Sequence, residues 1–133
     1  MAEILIIDDH PGDRYVMSEL LAGAGHYVRE ATDGVEGVAL CRNRLPALVI
    51  TDIVMARKDG FETIRELRTM APDLPILAVS GVEHSAVYLS AVRLLGADAV
   101  LTKPSARDEF IGTVSRLLSE PETCLSTALQ RVA

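Results

Sequence analysis

The sequence has no tryptophan and only five aromatic residues, Tyr15, Tyr27, Phe61, Tyr88 and Phe110. They are too scattered to form a base-stacking platform, so an RNA-reading surface of that kind is not expected. Basic residues are also in short supply. Thirteen Lys and Arg stand against nineteen Asp and Glu, a net charge of −6, which argues against capture of a polyphosphate backbone or an anionic membrane. Direct nucleic-acid binding by this domain is therefore not expected. Long apolar stretches are missing too: aliphatic runs such as Ile4 to Ile7 are far too short to span a bilayer, and Glu3 lies where a secretory leader would be basic. Membrane insertion is not expected. The two cysteines, Cys41 and Cys124, are far apart and lack metal-ligand spacing, so neither a disulfide framework nor a zinc site is supported. The expected compartment is the reducing cytoplasm.

What remains is aliphatic. At 133 residues, 49% of them hydrophobic, one domain can bury roughly two-thirds of its unfolded surface without staples. Five short runs carry the strand signal: Glu3 to Ile7, Tyr27 to Ala31, Ala47 to Thr51, Pro75 to Val79 and Ala99 to Thr102. Four lack strict alternation, as strands covered on both faces do, which points to a mostly parallel sheet. The second, with Arg29 and Glu30, reads as an edge strand. Helical stripes lie between them: Val16, Leu20 and Ala24 widened by Met17 and Leu21; Val35, Val38 and Ala39; Phe61, Ile64, Leu67 and Met70; Val87, Ala91 and Leu95; Phe110, Val114 and Leu117 beside Ile111 and Leu118. Gly23-Ala24-Gly25 reads as a helix stop. Five βα units with right-handed crossovers give an α/β, doubly wound three-layer sandwich around a five-stranded parallel sheet. After Pro121, Leu125, Ala128, Leu129 and Val132 recur at helical spacing, which predicts a short sixth helix. The expected organisation is a domain over residues 1–118 and an appendage over 119–133.

Ligands in such folds bind beyond the carboxyl ends of the strands. There the first strand delivers Asp8 and Asp9, the third Asp52, the fourth Ser80 followed by Gly81, and the fifth Lys103 followed by Pro104. Three converging carboxylates repel one another unless a cation is present, and an all-oxygen donor set suits Mg²⁺ or Mn²⁺ better than zinc. Taken singly, Asp9 reads equally as a helix cap, Asp52 as an Asx turn, Ser80 as a cap and Lys103 as a solvated charge. Four separate strand ends carrying Asp-Asp, Asp, Ser and Lys in this order are hard to produce by capping alone. The remaining acidic residues nearby, Glu3 and Asp13, read as a solvated face, and His10, His26 and His84 have no ligand spacing.

Over residues 3–118 these segments resemble the receiver domain of two-component response regulators. ILIIDDHPGDR resembles the family's acidic-pair segment, TDIVMARKDGFE its phosphoacceptor loop, ILAVSG its hydroxyl strand and DAVLTKPS its lysine-proline segment. The resemblance implies the strand order 2-1-3-4-5 and a switch phosphorylated on Asp52 by a histidine kinase or phosphotransfer protein. It further implies Mg²⁺ held by Asp9, Asp52, Asp8 through water and the Val54 backbone carbonyl. Lys103 and the Ser80 hydroxyl would each take a phosphoryl oxygen, with Ser80, Gly81, Val100 and Pro104 as the switch and structural positions. Such a domain assists its own phosphorylation and dephosphorylation without conventional turnover, and its output is binding to a protein partner through the fourth and fifth helices.

The sequence departs from the family pattern in places. Ala56 replaces the loop proline usual in the family, and Val100 the aromatic that often rotates with the Ser/Thr. Val54 and Val82 are apolar where family members flank the path of attacking water, which predicts slow hydrolysis of the phosphoryl group. Tyr88 reads as a partly buried core tyrosine. The tail stripe is expected to dock on its own domain or on a second copy. Two other functions stay open: the receiver portion of a longer DNA-binding regulator, and a metal-dependent phosphohydrolase of haloacid-dehalogenase type. The latter needs an Asp-x-Asp pattern and a cap domain, where this chain has Asp8-Asp9-His10.

Overall fold

Consecutive branched aliphatics favour extended backbone and can be buried only if both faces of the resulting sheet are covered. The computed structural model of the chain, which describes residues 2–53, 59–81, 86–103 and 106–132 (the backbone alone for 86–89 and 120–132), shows how the coverage is achieved. In chain order the elements are β1 (Glu3–Ile7), α1 (Pro11–Gly23), β2 (Tyr27–Ala31), α2 (Gly34–Asn43), β3 (Leu48–Asp52), α3 (Gly60–Met70), β4 (Ile76–Ser80), α4 (Ala86–Leu94), β5 (Ala99–Thr102) and α5 (Arg107–Val132). The strands form one parallel sheet in the order β2-β1-β3-β4-β5. β2 is an edge strand, as Arg29 and Glu30 suggest, and only Ala31 in it is buried.

The two-residue period of the strands divides the core in two. Leu5, Ile7, Val49, Ile76 and Ala78 pack with Val38 and Cys41 of α2, Ile64 and Leu67 of α3 and Val92 of α4. Ile4, Ile6, Leu48, Ile50, Leu77 and Val79 pack with Met17 and Leu21 of α1 and Phe110, Val114 and Leu117 of α5. Each fully buried aliphatic side chain contributes about 1.5–3 kcal/mol. Among the described residues no helix is long and apolar enough to cross a membrane.

Helix starts follow the polar residues. Asp33 and Asp59 cap α2 and α3, accepting from the backbone N–H of Glu36 at 2.8 Å and of Glu62 at 3.0 Å. Glu36 accepts in return from the Thr32 N–H at 2.7 Å. Gly60 allows α3 to begin directly against the end of β3. A Cβ there would lie 2.5 Å from Ile53 Cα and 2.6 Å from the Asp52 carbonyl oxygen, so any larger residue forces backbone to move. α1 stops at Gly23, where Gly25 at φ 92° turns the chain toward β2.

Three expectations are corrected. Among the described residues there is no separate sixth helix: α5 runs on through Pro121 to Val132, a rod of about 39 Å at 1.5 Å per residue. Proline removes one donor and disfavours helical backbone just before it, but a helix can continue past that single lost bond. The α1 stripe is rotated from the expected one, with Met17 and Leu21 buried while Val16 is 56% exposed. In α2, Val35 and Ala39 face outward and Gly34, Gly37, Val38 and Cys41 face in. An apolar count misses glycines, yet Gly37 is a core contact: a Cβ there would stand 2.3 Å from Ile7 Cδ1.

Candidate functional site

At the carboxyl edge of the sheet, Asp8 follows β1, Asp52 and Ser80 are the last residues of β3 and β4, and Lys103 follows β5. β1 and β3 are adjacent, as are β3 with β4 and β4 with β5, so the order of the sheet itself gathers these residues. Asp8 and Ser80 are fully buried, Asp52 is nearly so, and Asp9 is exposed. One carboxylate oxygen from each of Asp8, Asp9 and Asp52 lies within 4.8 Å of the others.

Backbone geometry fixes these groups. The Asp8 N–H donates to the Ala31 carbonyl at 3.1 Å, its carboxylate accepts from the His10 N–H at 2.8 Å, and its carbonyl accepts from the Arg14 guanidinium at 2.8 Å. Asp52 Oδ1 accepts from the Ile53 N–H at 2.8 Å, and the Gly60 N–H donates to the Ile53 carbonyl at 2.6 Å. The Lys103 N–H donates to the Ser80 carbonyl at 2.6 Å, tying the ends of β4 and β5 together. The Ser80 hydroxyl donates to the Gly81 carbonyl at 3.3 Å, long for an O–H donor.

Lys103 is not a solvated charge. Its Nζ lies 2.7 Å from Asp8 Oδ2, 3.0 Å from Asp13 Oδ2 and 3.3 Å from Asp52 Oδ2. Burial alone would favour the neutral amine, but the hydrogen bonds to Asp8 and Asp13 and the charges of Asp52 and Asp8 outweigh it and hold the pKa above that of an ordinary lysine. Burial pushes the Asp52 carboxyl above the usual carboxylate value; Lys103 opposes the shift and the charge of Asp8 adds to it. A carboxylate so placed gains from a neighbouring cation, and the Asp8, Asp9 and Asp52 oxygens suit Mg²⁺ or Mn²⁺.

Asp13 is the site residue that sequence reading missed. Its position in the first turn of α1, just after the acidic pair, is the signal that would have found it. Asp9 does not cap α1: His10 does, its Nδ1 accepting from the Asp13 N–H at 3.3 Å. Gly81 is exposed beyond Ser80, and Val100 is half-buried beside the α2–α3–α4 core. Val54, Ala56, Val82 and Pro104 lie outside the described residues, as does the Tyr88 side chain.

Residues 4–115 match the family described as the response regulator receiver domain. PilH of Pseudomonas aeruginosa is 35% identical over 121 residues, covering 90% of this chain and 99% of its own length. Response regulator MprA of a Mycobacterium strain is 36% identical over 115 residues, which are 86% of this chain and 50% of MprA. The chain thus spans about half the length of its MprA relatives. Among solved structures, chemotaxis protein CheY4 of Vibrio cholerae superposes with a TM-score of 0.82 at 29% identity, over 88% of this chain and 98% of CheY4. NtrX from Brucella abortus gives 0.87 at 30% identity, over 96% of this chain and 29% of NtrX.

Proposed function

The chain belongs to the response regulator receiver domain family of two-component systems, and on that premise we propose that it is a switch phosphorylated on Asp52. The observation that carries the reading is the meeting of Asp52 with Asp8, Asp9 and Lys103 at one sheet edge. An Asp52 oxygen attacks the phosphorus of a phosphohistidine on a histidine kinase or phosphotransfer protein. A P–O bond forms and the P–N bond breaks, its electron pair leaving on the imidazole, which takes a proton from solvent. A carboxylate needs no general base for this step. Asp8, Asp9 and Asp52, with the Val54 carbonyl, would hold Mg²⁺ or Mn²⁺, and the bound ion offsets charge on the phosphoryl oxygens.

Lys103 then carries a second phosphoryl oxygen. The Ser80 hydroxyl exchanges its long bond to the Gly81 carbonyl for a charged acceptor, a gain available only in the phosphorylated state. That difference is what biases the domain between two conformations. The output is an altered affinity for a protein partner at α4 and α5, with residues 1–118 as the phosphoacceptor unit and 119–133 as an extension of α5. A homodimer through that extension and a cytoplasmic location belong to the same reading.

With Mg²⁺ and acetyl phosphate, intact-mass analysis is expected to show one phosphoryl group added to the wild type and none to Asp52→Asn. Equal labelling of the variant overturns the assignment. Repeated turnover of a small phosphate ester would instead support a phosphohydrolase. A second reading, the receiver portion of a longer regulator, is favoured by the MprA relatives, half of whose length lies outside the match. Immunoblotting of native cells for the size of the product separates the two.

A further inference from the structure

Among the described residues Lys103 Nζ has three carboxylate partners, of which Asp8 and Asp52 belong to the oxygen triad and Asp13 does not. Asp13 stands on α1, and its side chain is 42% exposed where that of Asp8 is fully buried. It is held in place locally, its N–H donating to His10 Nδ1 at 3.3 Å. An ammonium 2.7 Å from Asp8 and 3.3 Å from Asp52 repels any cation entering the triad and competes with it for those carboxylates. The Asp13 carboxylate, at 3.0 Å and outside the triad, offers the ammonium another partner.

We propose that Asp13 is a positioning residue that parks Lys103, drawing the ammonium off the Asp8–Asp9–Asp52 triad as a divalent cation enters and competing with a phosphoryl oxygen for it afterwards. The proposal rests on the phosphoacceptor reading of Asp52 for its second half only. Its first half concerns the affinity of the triad for metal. The two halves have opposite signs: Asp13 favours cation entry and retards the step in which Lys103 must move to the phosphoryl group. A residue that merely supports the fold would shift both in the same direction.

The test is a double-mutant cycle on the full chain with Asp13→Asn, Lys103→Met and the pair, Mg²⁺ affinity being measured by isothermal titration calorimetry. Asp13→Asn is expected to weaken Mg²⁺ binding about five-fold, within the range of couplings between contacting charged groups, and this effect should largely vanish when Lys103 is already methionine. The initial rate of phosphoryl uptake from acetyl phosphate at saturating Mg²⁺ should rise about two-fold or more in Asp13→Asn, for loss of a coupling of the same kind. Asp13→Glu, which keeps the charge, should restore both values. Unchanged Mg²⁺ affinity in Asp13→Asn overturns the proposal, and so does an effect that persists undiminished in Lys103→Met, since that is general attraction between charges. A wild type that takes up no phosphoryl group defeats the phosphoacceptor reading, while the calorimetric cycle still decides the role of Asp13.

Discussion

Two cations sit at opposite edges of the sheet, and their partners differ in kind. At the amino edge, the Arg68 guanidinium on α3 donates to the carbonyls of Pro72 at 2.7 Å and Leu74 at 2.8 Å, to that of Gly96, and to Asp98 at 2.9 Å. Asp98 in turn accepts from the Ile76 N–H at 2.8 Å, so one side chain ties α3 to the starts of β4 and β5. At the carboxyl edge, the side-chain partners of Lys103 among the described residues are carboxylates. A planar fork on backbone carbonyls has nowhere to go without unfolding the turns that carry them. A compact ammonium among carboxylates can exchange partners at little cost, because each is itself a charge that a metal or phosphoryl group can claim. The first edge holds the fold, and the second is the one that the proposed phosphorylation would rearrange.

The contrast is broken most severely by Arg68→Ala. Three carbonyls and a carboxylate lose their donor, and stability to chemical denaturation should fall by about 3 kcal/mol, with Mg²⁺ giving no recovery and phosphoryl uptake by the remaining folded protein preserved. Lys103→Met should cost less, about 2 kcal/mol, because Asp8 and Asp52 keep their backbone donors, the N–H groups of His10 and Ile53. On the proposed reading the carboxylates it leaves unbalanced would bind Mg²⁺, so the loss should be recovered on adding the ion. Recovery in Arg68→Ala, or its failure in Lys103→Met, would erase the distinction.

The smallest effect is the pH dependence. The Asp52 carboxyl titrates above its ordinary value of 3.8 in the folded chain, chiefly through burial. The folded state therefore holds that proton more tightly than the unfolded one, and the contribution of Asp52 to stability declines as pH rises from 3.8 through the raised value. The stability of Asp52→Asn relative to the wild type should grow over that window and then level off. Lys103 behaves in the opposite range: its pairing is fully present below 10.5 and is lost as pH climbs through its raised value. Denaturation curves across pH for the wild type, Asp52→Asn and Lys103→Met measure both arms.

The sequence displayed the strands almost to the residue, because runs such as ILII and LVI leave no exposed face to either side and only a covered parallel sheet accommodates them. The oxygen triad was legible for a related reason: strand ends are few, and polar residues there have a fixed destination. Helix faces were less legible. Gly37 packs without presenting an apolar side chain, and Val16 is apolar without packing. Asp13 was overlooked because its partner lies on β5's far end, a contact decided by how α1 leaves β1. Arg68 gave no signal at all, since backbone carbonyls have no letter in the sequence. Pro121 signalled too strongly, read as a stop where the helix absorbs it.

The strand order has a further consequence for how the chain is made. β1 pairs with β2 on one side and β3 on the other, Ile4 facing both Val28 and Leu48. A ribosome delivers β1 first, and its second neighbour emerges only after α1, β2 and α2. Until then the most aliphatic strand of the sheet has an open hydrogen-bonding edge, the condition under which nascent chains pair with the wrong partner. α1 and β2 are the elements available to shield it meanwhile. The arrangement that gathers the carboxylates in the finished protein thus makes the emerging chain depend on its first βαβ unit closing promptly.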